Sequence, residues 1–342
     1  MPGLRHPFPA RRALVLAAYL ALAGATATPA AAADPAVERG RYLAAAGNCV
    51  SCHTRSGGTP YAGGRPFETP FGTLYSTNIT PHAGSGIGDW SEEDFVRALR
   101  EGRRPGGEHL YPAFPYTSFT RLSDADAADL YRYFRSLAAV DYEPPANELR
   151  FPYSQRWLLA AWKMLYFTPE RFTPDAGQSA EWNRGAYLVQ GPGHCGACHT
   201  PRNFLGAEIA ERALTGGRHF HSSSGRTLEW SSTNLTSAPS GLAAWSVDEL
   251  VDYLKHGMSE RAGVFGPMNE VVLNSTRHLR VEDLRAMAVY LKSLPASEPD
   301  PGPAPDAATM RAGEVLYNIH CGTCHLPTGL GSDTTGPPIC RH

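Results

Sequence analysis

The residues with the clearest chemical potential are three copies of one short motif, C-x-x-C-H, at Cys49–His53, Cys195–His199 and Cys321–His325. Two thiols at this spacing lie one helical turn apart and can form thioether bonds with the two vinyl groups of a porphyrin. The following histidine then lies beneath the iron as a proximal ligand. The predicted thioether cysteines are Cys49, Cys52, Cys195, Cys198, Cys321 and Cys324, and the predicted proximal iron ligands are His53, His199 and His325. The sequence therefore predicts three covalent haem c attachment sites.

A C-x-x-C pair alone is also found in redox disulfides, in zinc half-sites and in ordinary disulfides. Zinc ligation would have to join cysteines from copies that lie far apart in the chain. Thioredoxin-type motifs lie in βαβ patterns, which this sequence lacks. Three copies, each followed by a histidine, favour haem attachment over these alternatives.

The first two motifs belong to longer repeats. The string STNIT at residues 76–80 is matched by STNLT at residues 232–236. Later in each repeat, a serine precedes an acidic, amphipathic segment that ends at a glycine, a pattern that predicts a capped helix. The predicted helices begin after Ser91 and Ser246 and end near Gly102 and Gly257.

These patterns predict an all-α fold, with two complete helical modules and the opening of a third, because few strand patterns are present. The predicted divisions are residues 34–141 for the first module, 142–180 for a linker or packing segment, 181–295 for the second module, 296–308 for a proline-rich linker and 309–342 for a partial third module. An apolar run at residues 157–167 is too short to cross a bilayer as a helix. It is either a helix packed between the modules or a docking surface for a partner subunit or the membrane.

Length and composition restrict the function classes. The chain has 342 residues and seven cysteines, an odd number that excludes a fully paired disulfide framework. Three haem pairs leave only Cys340, by default an incidental thiol. The net charge of −2 argues against a nucleic-acid-binding protein. Serine-hydrolase and zinc-protease motifs are absent from the sequence, so no separate substrate chemistry is predicted.

Residues 1–33 are predicted to be a signal peptide. Three arginines precede an apolar run at residues 13–27, and small residues at 31–33 form a cleavage site. Export predicts a periplasmic protein, associated with the outer face of the cytoplasmic membrane.

The candidates for distal iron ligands are methionines and histidines, since methionine is a frequent sixth ligand of electron-transfer haems. Met268, in a loop after Pro267, is the predicted distal ligand of the second haem, and Met258 is the weaker competitor. The matching position of the first repeat is Phe114, which cannot bind iron. His109 is therefore the distal candidate for the first haem, Met164 a lesser one, and an open iron a further alternative.

The third repeat is short, since only 17 residues follow His325 and none is methionine. The third haem is therefore expected to attach but to be loosely held and exposed. Either the chain is truncated or out of frame at its end, or another subunit completes this module.

The sequence closely resembles the triheme cytochrome c subunits of bacterial periplasmic membrane-bound dehydrogenases, over about residues 35 to 330. These include the subunits of alcohol, gluconate and sorbitol dehydrogenases and the partners of nicotinate- and isoquinoline-type molybdenum hydroxylases. Besides the three motifs, the resemblance is carried by STNIT with GIGDWSEEDF, HLYPAFPYTSF, AAWKMLYF, GHCGACHTPRN and GPMNEVVLNSTRHL. It implies tandem class I cytochrome c domains and Met268 as an axial ligand. Relatives often carry methionine where this chain has Phe114, and they continue past its end with a full third domain.

The predicted function is electron transfer from a dehydrogenase catalytic subunit, through the haems, to ubiquinone or a terminal oxidase. No nucleic-acid partner is predicted, and contact with the membrane surface would be made through the partner. The alternative is a haem enzyme of peroxidase or thiosulfate dehydrogenase type that uses an open iron at the first haem. An oxidase-associated cytochrome subunit is a third interpretation. Trp90, Asn78, Trp245 and Asn234 either hydrogen-bond haem propionates or cap loops.

Overall fold

The computed structural model describes Gly3 and residues 34–223, 226–299, 304–332 and 334–336. Apart from Gly3 and Asp34, these residues belong to one compact unit, Pro35–His342. The predicted signal peptide, Gly3 excepted, and Cys340 lie outside the described residues.

The first repeat is built mainly from helices. They are α1 (Pro35–Ala46), α2 (Cys49–Cys52), α3 (Glu92–Glu101), α4 (Tyr116–Phe119) and α5 (Asp124–Ser136). Their apolar faces meet in a cluster of buried side chains that includes Leu43, Phe95, Leu122 and Phe134. The repeat therefore has an apolar core of its own.

The second repeat follows the same order. Its helices are α7 (Ala180–Gln190), α8 (Gly196–His199), α9 (Val247–His256), α10 (Pro267–Asn274) and α11 (Val281–Ser293), and helix α6 (Leu158–Tyr166) lies between the two repeats in the chain. Short 3₁₀ turns lie at Ala210–Arg212 and Thr276–His278. A second cluster, with Leu188, Leu250, Leu284 and Leu291 among its members, forms the core of this repeat.

The capped helices predicted from the serine and glycine positions are confirmed. Ser91 accepts a hydrogen bond from the backbone N–H of Asp94, and the Asp94 side chain accepts one in return, which forms a capping box. Ser246 and Glu249 repeat this arrangement at the start of α9. The two helices end at Gly102 and Gly257, whose φ angles of 60° and 76° lie in the left-handed region that favours glycine.

The first and last helices of each repeat cross at a glycine. A Cβ atom at Gly40 of α1 would lie 2.0 Å from the carbonyl oxygen of Asp129 in α5. A Cβ atom at Gly185 of α7 would lie 1.9 Å from the carbonyl oxygen of Ala286 in α11. Because the neighbouring atoms are backbone, only glycine allows this close crossing.

Two small antiparallel sheets interrupt the helical pattern, and the predicted all-α class did not include them. Strands β1 (Pro66–Thr69), β2 (Gly72–Tyr75) and β3 (Glu148–Leu149) form the first sheet in that order. Strands β4 (Gly217–Ser223) and β5 (Arg226–Ser232) form a hairpin in which Gly217 is paired with Ser232. The strands of the first sheet have at most four residues, too few for an alternating pattern to show in the sequence. The part of the chain that the structure describes is therefore largely helical, with two local sheets.

Helix α6 contacts both repeats. The buried Lys163 ammonium donates to the carbonyl oxygens of Glu101 and Gly102 at the end of α3, where the helix dipole favours a cation. Trp162 donates from Nε1 to the carbonyl oxygen of Leu205, at 3.0 Å. The apolar run is thus a helix packed between the two repeats. Its outer side chains Trp157, Met164 and Leu165 are 70%, 87% and 69% exposed, and a docking role for them stays a prediction.

The third repeat contains α12 (Ala307–His320) and α13 (Gly322–His325). Met310, Leu316 and Ile319 of α12 are each more than half exposed. A Cβ atom at Gly313 would have no neighbour within 4 Å, in contrast to the crossings at Gly40 and Gly185. In the first two repeats the opening helix crosses the closing helix. Among the residues that the structure describes, no helix crosses α12 in this way, and its apolar face is exposed.

A buried carboxylate joins the first two repeats. Asp283 of α11 accepts two hydrogen bonds of 2.8 Å from Arg184 and one of 2.5 Å from the hydroxyl of Tyr42 in α1. Arg280 contributes a second guanidinium, which donates at 3.2 Å. Burial by itself would raise the pKa of Asp283, but the hydrogen bonds from Arg184 and Tyr42 outweigh it and lower the pKa to about 2.

This carboxylate predicts a specific acid sensitivity. The folded-state pKa of Asp283 lies below the unfolded value, so its ionised form stabilises the fold above about pH 4 and this contribution is lost as the pH falls towards 2. We expect Asp283→Asn to lower the free energy of unfolding at pH 6 and to remove about 2 kcal/mol of its acid dependence. Unfolding by urea between pH 6 and 2.5 measures this, and parallel curves for the two proteins would contradict it.

Candidate functional site

The first C-x-x-C-H motif is held on a single helical turn. Asn48 starts α2 in a left-handed conformation with φ 49°, and Cys49 and Cys52 then lie three residues apart, on the same side of the turn. The backbone N–H of His53 donates to the carbonyl oxygen of Cys49 at 2.9 Å. The two thiols and the imidazole are therefore brought together by one short segment.

The ring of His53 is oriented by a backbone atom. Its Nδ1 lies 2.7 Å from the carbonyl oxygen of Thr77. Because a carbonyl oxygen can only accept, the hydrogen must sit on Nδ1, and the lone pair of Nε2 is left for another partner. This is the arrangement that metal-binding histidines adopt in proteins.

The second motif repeats this geometry. Cys195 precedes α8, Cys198 lies within it, and Nδ1 of His199 lies 2.8 Å from the carbonyl oxygen of Thr233. Thr77 and Thr233 hold the same place in the strings STNIT and STNLT. The sequence patterns marked these strings as repeats but did not reveal this role. The signal was there, because each string follows the histidine of its own motif by a few tens of residues.

The environment of the cysteines fits thioether attachment better than thiol chemistry. Cys49 packs against the core of the first repeat and Cys195 against that of the second. Burial raises the pKa of each thiol to about 12, whereas a thiol–disulfide exchange site lowers the pKa of its attacking cysteine. Two cysteines on one turn, an imidazole oriented through its Nδ1 and an apolar surround match the donor set that haem c requires.

Asn78 and Asn234 brace the loops that carry the two threonine carbonyls. The buried Asn78 donates to the carbonyl oxygens of Val140 and Tyr142 at 2.9 and 3.1 Å, and it accepts from the backbone N–H of Thr80. Asn234 donates to the carbonyl oxygen of Ser297 at 2.8 Å. Because these bonds use both ends of the Asn78 amide, loop capping is favoured over propionate binding for this residue.

Met268 lies on helix α10 of the second repeat, not in the predicted loop. Pro267 begins α10, and Met268 packs, half-buried, against the same apolar cluster as Cys195. The competing Met258 is 68% exposed, and Met164, the lesser candidate for the first haem, is 87% exposed. The structure therefore brings Met268, rather than either alternative, to the apolar cluster beside a cysteine pair.

The first repeat has a different arrangement at the matching position. Phe114 packs against Phe119, with ring centroids 5.4 Å apart, in the cluster that also contacts Cys49. The carbonyl oxygen of His109 accepts a hydrogen bond of 2.8 Å from Arg156. Burial, followed by the nearby charge of Lys163, lowers the pKa of His109, so its ring is neutral at pH 7. A distal role for His109 stays a prediction.

The third motif has a more open setting. Cys321 caps α13, which contains Cys324 and His325. Cys324 is exposed, and the hydroxyl of Tyr317 donates to the carbonyl oxygen of Leu326 at 2.6 Å. The helical turn that carries the third motif is therefore present, but its side chains are more exposed to solvent than those of the first two motifs.

Comparisons with known proteins agree with this donor set. The family model for cytochrome c matches residues 37–138. The chain is 41% identical to the alcohol dehydrogenase (quinone) cytochrome c subunit of Gluconacetobacter polyoxogenes, over 94% of this chain and 72% of that protein. It is also 41% identical to the gluconate 2-dehydrogenase cytochrome c subunit of Pantoea cypripedii, over 86% of this chain and 70% of that protein.

A further relative is much longer. A nicotinate dehydrogenase subunit of Pseudomonas putida is 46% identical over 89% of this chain, which spans only 25% of that protein. Two histidine-and-cysteine sites with the same geometry, a matching cytochrome c model and these relatives lead to one assignment. The chain belongs to the family of dehydrogenase cytochrome c subunits, which are haem proteins of electron transport.

Proposed function

We propose that this chain carries haem c at its three C-x-x-C-H motifs and passes electrons from the catalytic subunit of a periplasmic dehydrogenase to ubiquinone or a terminal oxidase. When bound, haem c supplies a one-electron iron couple whose potential is tuned by axial ligands and burial. The observation that carries the proposal is the repeated geometry in which His53 and His199 donate from Nδ1 to the carbonyl oxygens of Thr77 and Thr233.

In this proposal His53 and His199 are the proximal ligands of the first two haems, and Met268 is the distal ligand of the second. Residues 34–141 and 181–295 form complete cytochrome c domains, and residues 309–342 form part of a third. Support comes from the separate apolar cores of the first two repeats and from the exposed apolar side chains of α12. The third haem, on His325, would be attached but poorly covered.

Electron passage between the first two haems is supported by the closeness of their motifs. The carbonyl oxygen of Gly47, two residues before Cys49, lies 3.1 Å from Nε2 of His194, which directly precedes Cys195. The ring of His194 also packs edge-to-face on Phe119 of the first repeat, with centroids 5.5 Å apart. This contact places the start of one motif directly against the start of the other.

Haem content tests the proposal. We expect pyridine haemochrome assays of the exported, mature protein to give at least two haems per chain. Replacing Cys195 and Cys198 with serine should remove one full haem, whereas the same change at Cys321 and Cys324 should remove at most the loosely held one. Mass spectrometry locates each attachment. A content of zero or one haem in the unsubstituted protein would contradict the proposal.

Phe114 motivates the rival function, a haem enzyme with an open iron at the first repeat, because phenylalanine cannot bind iron. The two functions differ in their spectra and in their need for a partner. A high-spin ferric band that shifts with cyanide or peroxide, together with turnover by the isolated chain, would favour the enzyme. A carrier should instead be reduced by the substrate of its dehydrogenase only when that dehydrogenase is present.

The partner and location belong to the same proposal. Among the residues that the structure describes, no helix is both long enough and apolar enough to cross a bilayer. We place the chain in the periplasm, at the outer face of the cytoplasmic membrane, held there with its dehydrogenase. Co-purification of the tagged chain from native membranes identifies that dehydrogenase and, through it, the substrate.

A further inference from the structure

The helix that carries Met268 is fastened to the haem-binding motif of the other repeat. Arg65, in the first repeat, donates from Nη1 to the carbonyl oxygen of Ser51 at 2.6 Å, within the first C-x-x-C-H motif. The same guanidinium donates to both carboxylate oxygens of Glu270, at 2.8 and 3.2 Å. Glu270 lies two residues after Met268 on α10. The Arg65 side chain therefore links the first C-x-x-C-H motif to the helix that carries Met268.

A second set of hydrogen bonds closes the same contact. Asn274, at the end of α10, donates from Nδ2 to the hydroxyl of Ser51 at 2.8 Å. That hydroxyl donates in turn to Oδ1 of Asn48, which directly precedes the first motif, at 2.6 Å. Ser275 donates to the carbonyl oxygen of Ala46 at 3.3 Å. Helix α10 is therefore held against the first motif at both of its ends.

The Arg65–Glu270 pair is more than a flexible surface contact. The Arg65 side chain is only 18% exposed, and both of its terminal nitrogens are engaged by the Glu270 carboxylate. Bidentate pairs of this kind fix orientation as well as adding attraction. The Arg97–Glu93 pair of α3 is a useful comparison, because its carboxylate is 83% exposed. Exposed pairs of this kind contribute little to stability.

We infer that Arg65 and Glu270 are positioning residues, which hold Met268 over the haem of the second repeat by anchoring α10 to the motif of the first repeat. The inference rests on the proposed ligation by Met268. It implies that a substitution in the first repeat loosens an axial ligand in the second. It also implies that the axial ligation of the second haem depends on contacts with the first repeat, so that the two haem sites are not independent of each other.

The test uses the full-length, haem-loaded protein and imidazole as a competitor for the distal iron position. Binding is followed through the ferric absorption band that arises from methionine sulfur on haem iron. We expect Arg65→Gln and Glu270→Gln each to raise the apparent affinity for imidazole about tenfold, which corresponds to about 1.4 kcal/mol. The double variant should show little further increase, because the two residues act through one contact. Glu93→Gln is the control and should change nothing.

Met268→Ala separates failure of this inference from failure of the proposed ligation. If Met268→Ala abolishes the methionine band while Arg65→Gln and Glu270→Gln leave imidazole affinity within about twofold of the unsubstituted protein, the positioning role is wrong and the ligand stands. If Met268→Ala leaves the band unchanged, the ligation is wrong and the inference falls with it. Additive effects of Arg65→Gln and Glu270→Gln would also overturn a shared role.

Discussion

Gly185→Ala is expected to destabilise the folded protein by about 2 kcal/mol. The added Cβ would lie 1.9 Å from the carbonyl oxygen of Ala286, 2.4 Å from its carbonyl carbon and 3.0 Å from the nitrogen of Met287. All three atoms are helix backbone, so α7 and α11 would have to separate along their crossing. Overpacking of this kind typically costs ~1–3 kcal/mol, and it exceeds the ~0.5–1 kcal/mol that alanine gains over glycine in a helix.

Gly313→Ala is the matched control, since this glycine holds the same place in the third repeat and its Cβ would have no neighbour within 4 Å. We expect no loss of stability there. Urea unfolding followed by far-ultraviolet circular dichroism compares the two variants, and Gly40→Ala should behave like Gly185→Ala. Equal free energies of unfolding for the variants at positions 185 and 313 would show that the close crossing is not needed.

Met268→Ala is expected to lower the midpoint potential of one haem by on the order of 100 mV, within the ~0.8 V range that axial ligands span. Thioether sulfur is a soft ligand that favours the reduced iron, so its removal favours the oxidised form. The methionine absorption band should disappear at the same time. A spectroelectrochemical titration that resolves the separate haems measures both effects.

Met258→Ala provides the comparison, because Met258 is 68% exposed and lies ten residues before Met268 in the same repeat. Its titration should match that of the unsubstituted protein. If Met258→Ala shifts the midpoint potential and Met268→Ala does not, Met258 rather than Met268 is the distal ligand. A shift in neither variant would leave the second haem with another distal ligand.

The helices and the cysteine motifs could be predicted because their signals are local. Ser91 with Asp94, and Ser246 with Glu249, form caps within four residues, and each C-x-x-C-H motif is complete within five. The family resemblance rested on equally local strings, and the relatives confirmed it. For the apolar run at residues 157–167, a helix packed between the modules was one of two interpretations, and Leu158–Tyr166 is helical.

The contacts that join the repeats could not be predicted in this way. Tyr42 and Asp283 are 241 residues apart, and Arg65 and Glu270 are 205 residues apart. In the sequence, each of these polar side chains looks like an ordinary solvated group. Their pairing follows from how the two repeats pack, which depends on every helix crossing at once. The first small sheet was missed because its strands have at most four residues, so that pairing rather than a residue pattern defines them.

The hydrogen bond that orients each motif histidine, His53 or His199, ends on a main-chain oxygen, and this changes which residues must be kept. Every residue type carries that oxygen, so the side chain at positions 77 and 233 is free to vary without loss of the contact. What must be kept is the path of the loop, and that path is held by the amides of Asn78 and Asn234, whose partners are the carbonyls of Val140 and Ser297. The tautomer of each motif histidine is therefore encoded one residue away from the atom that sets it.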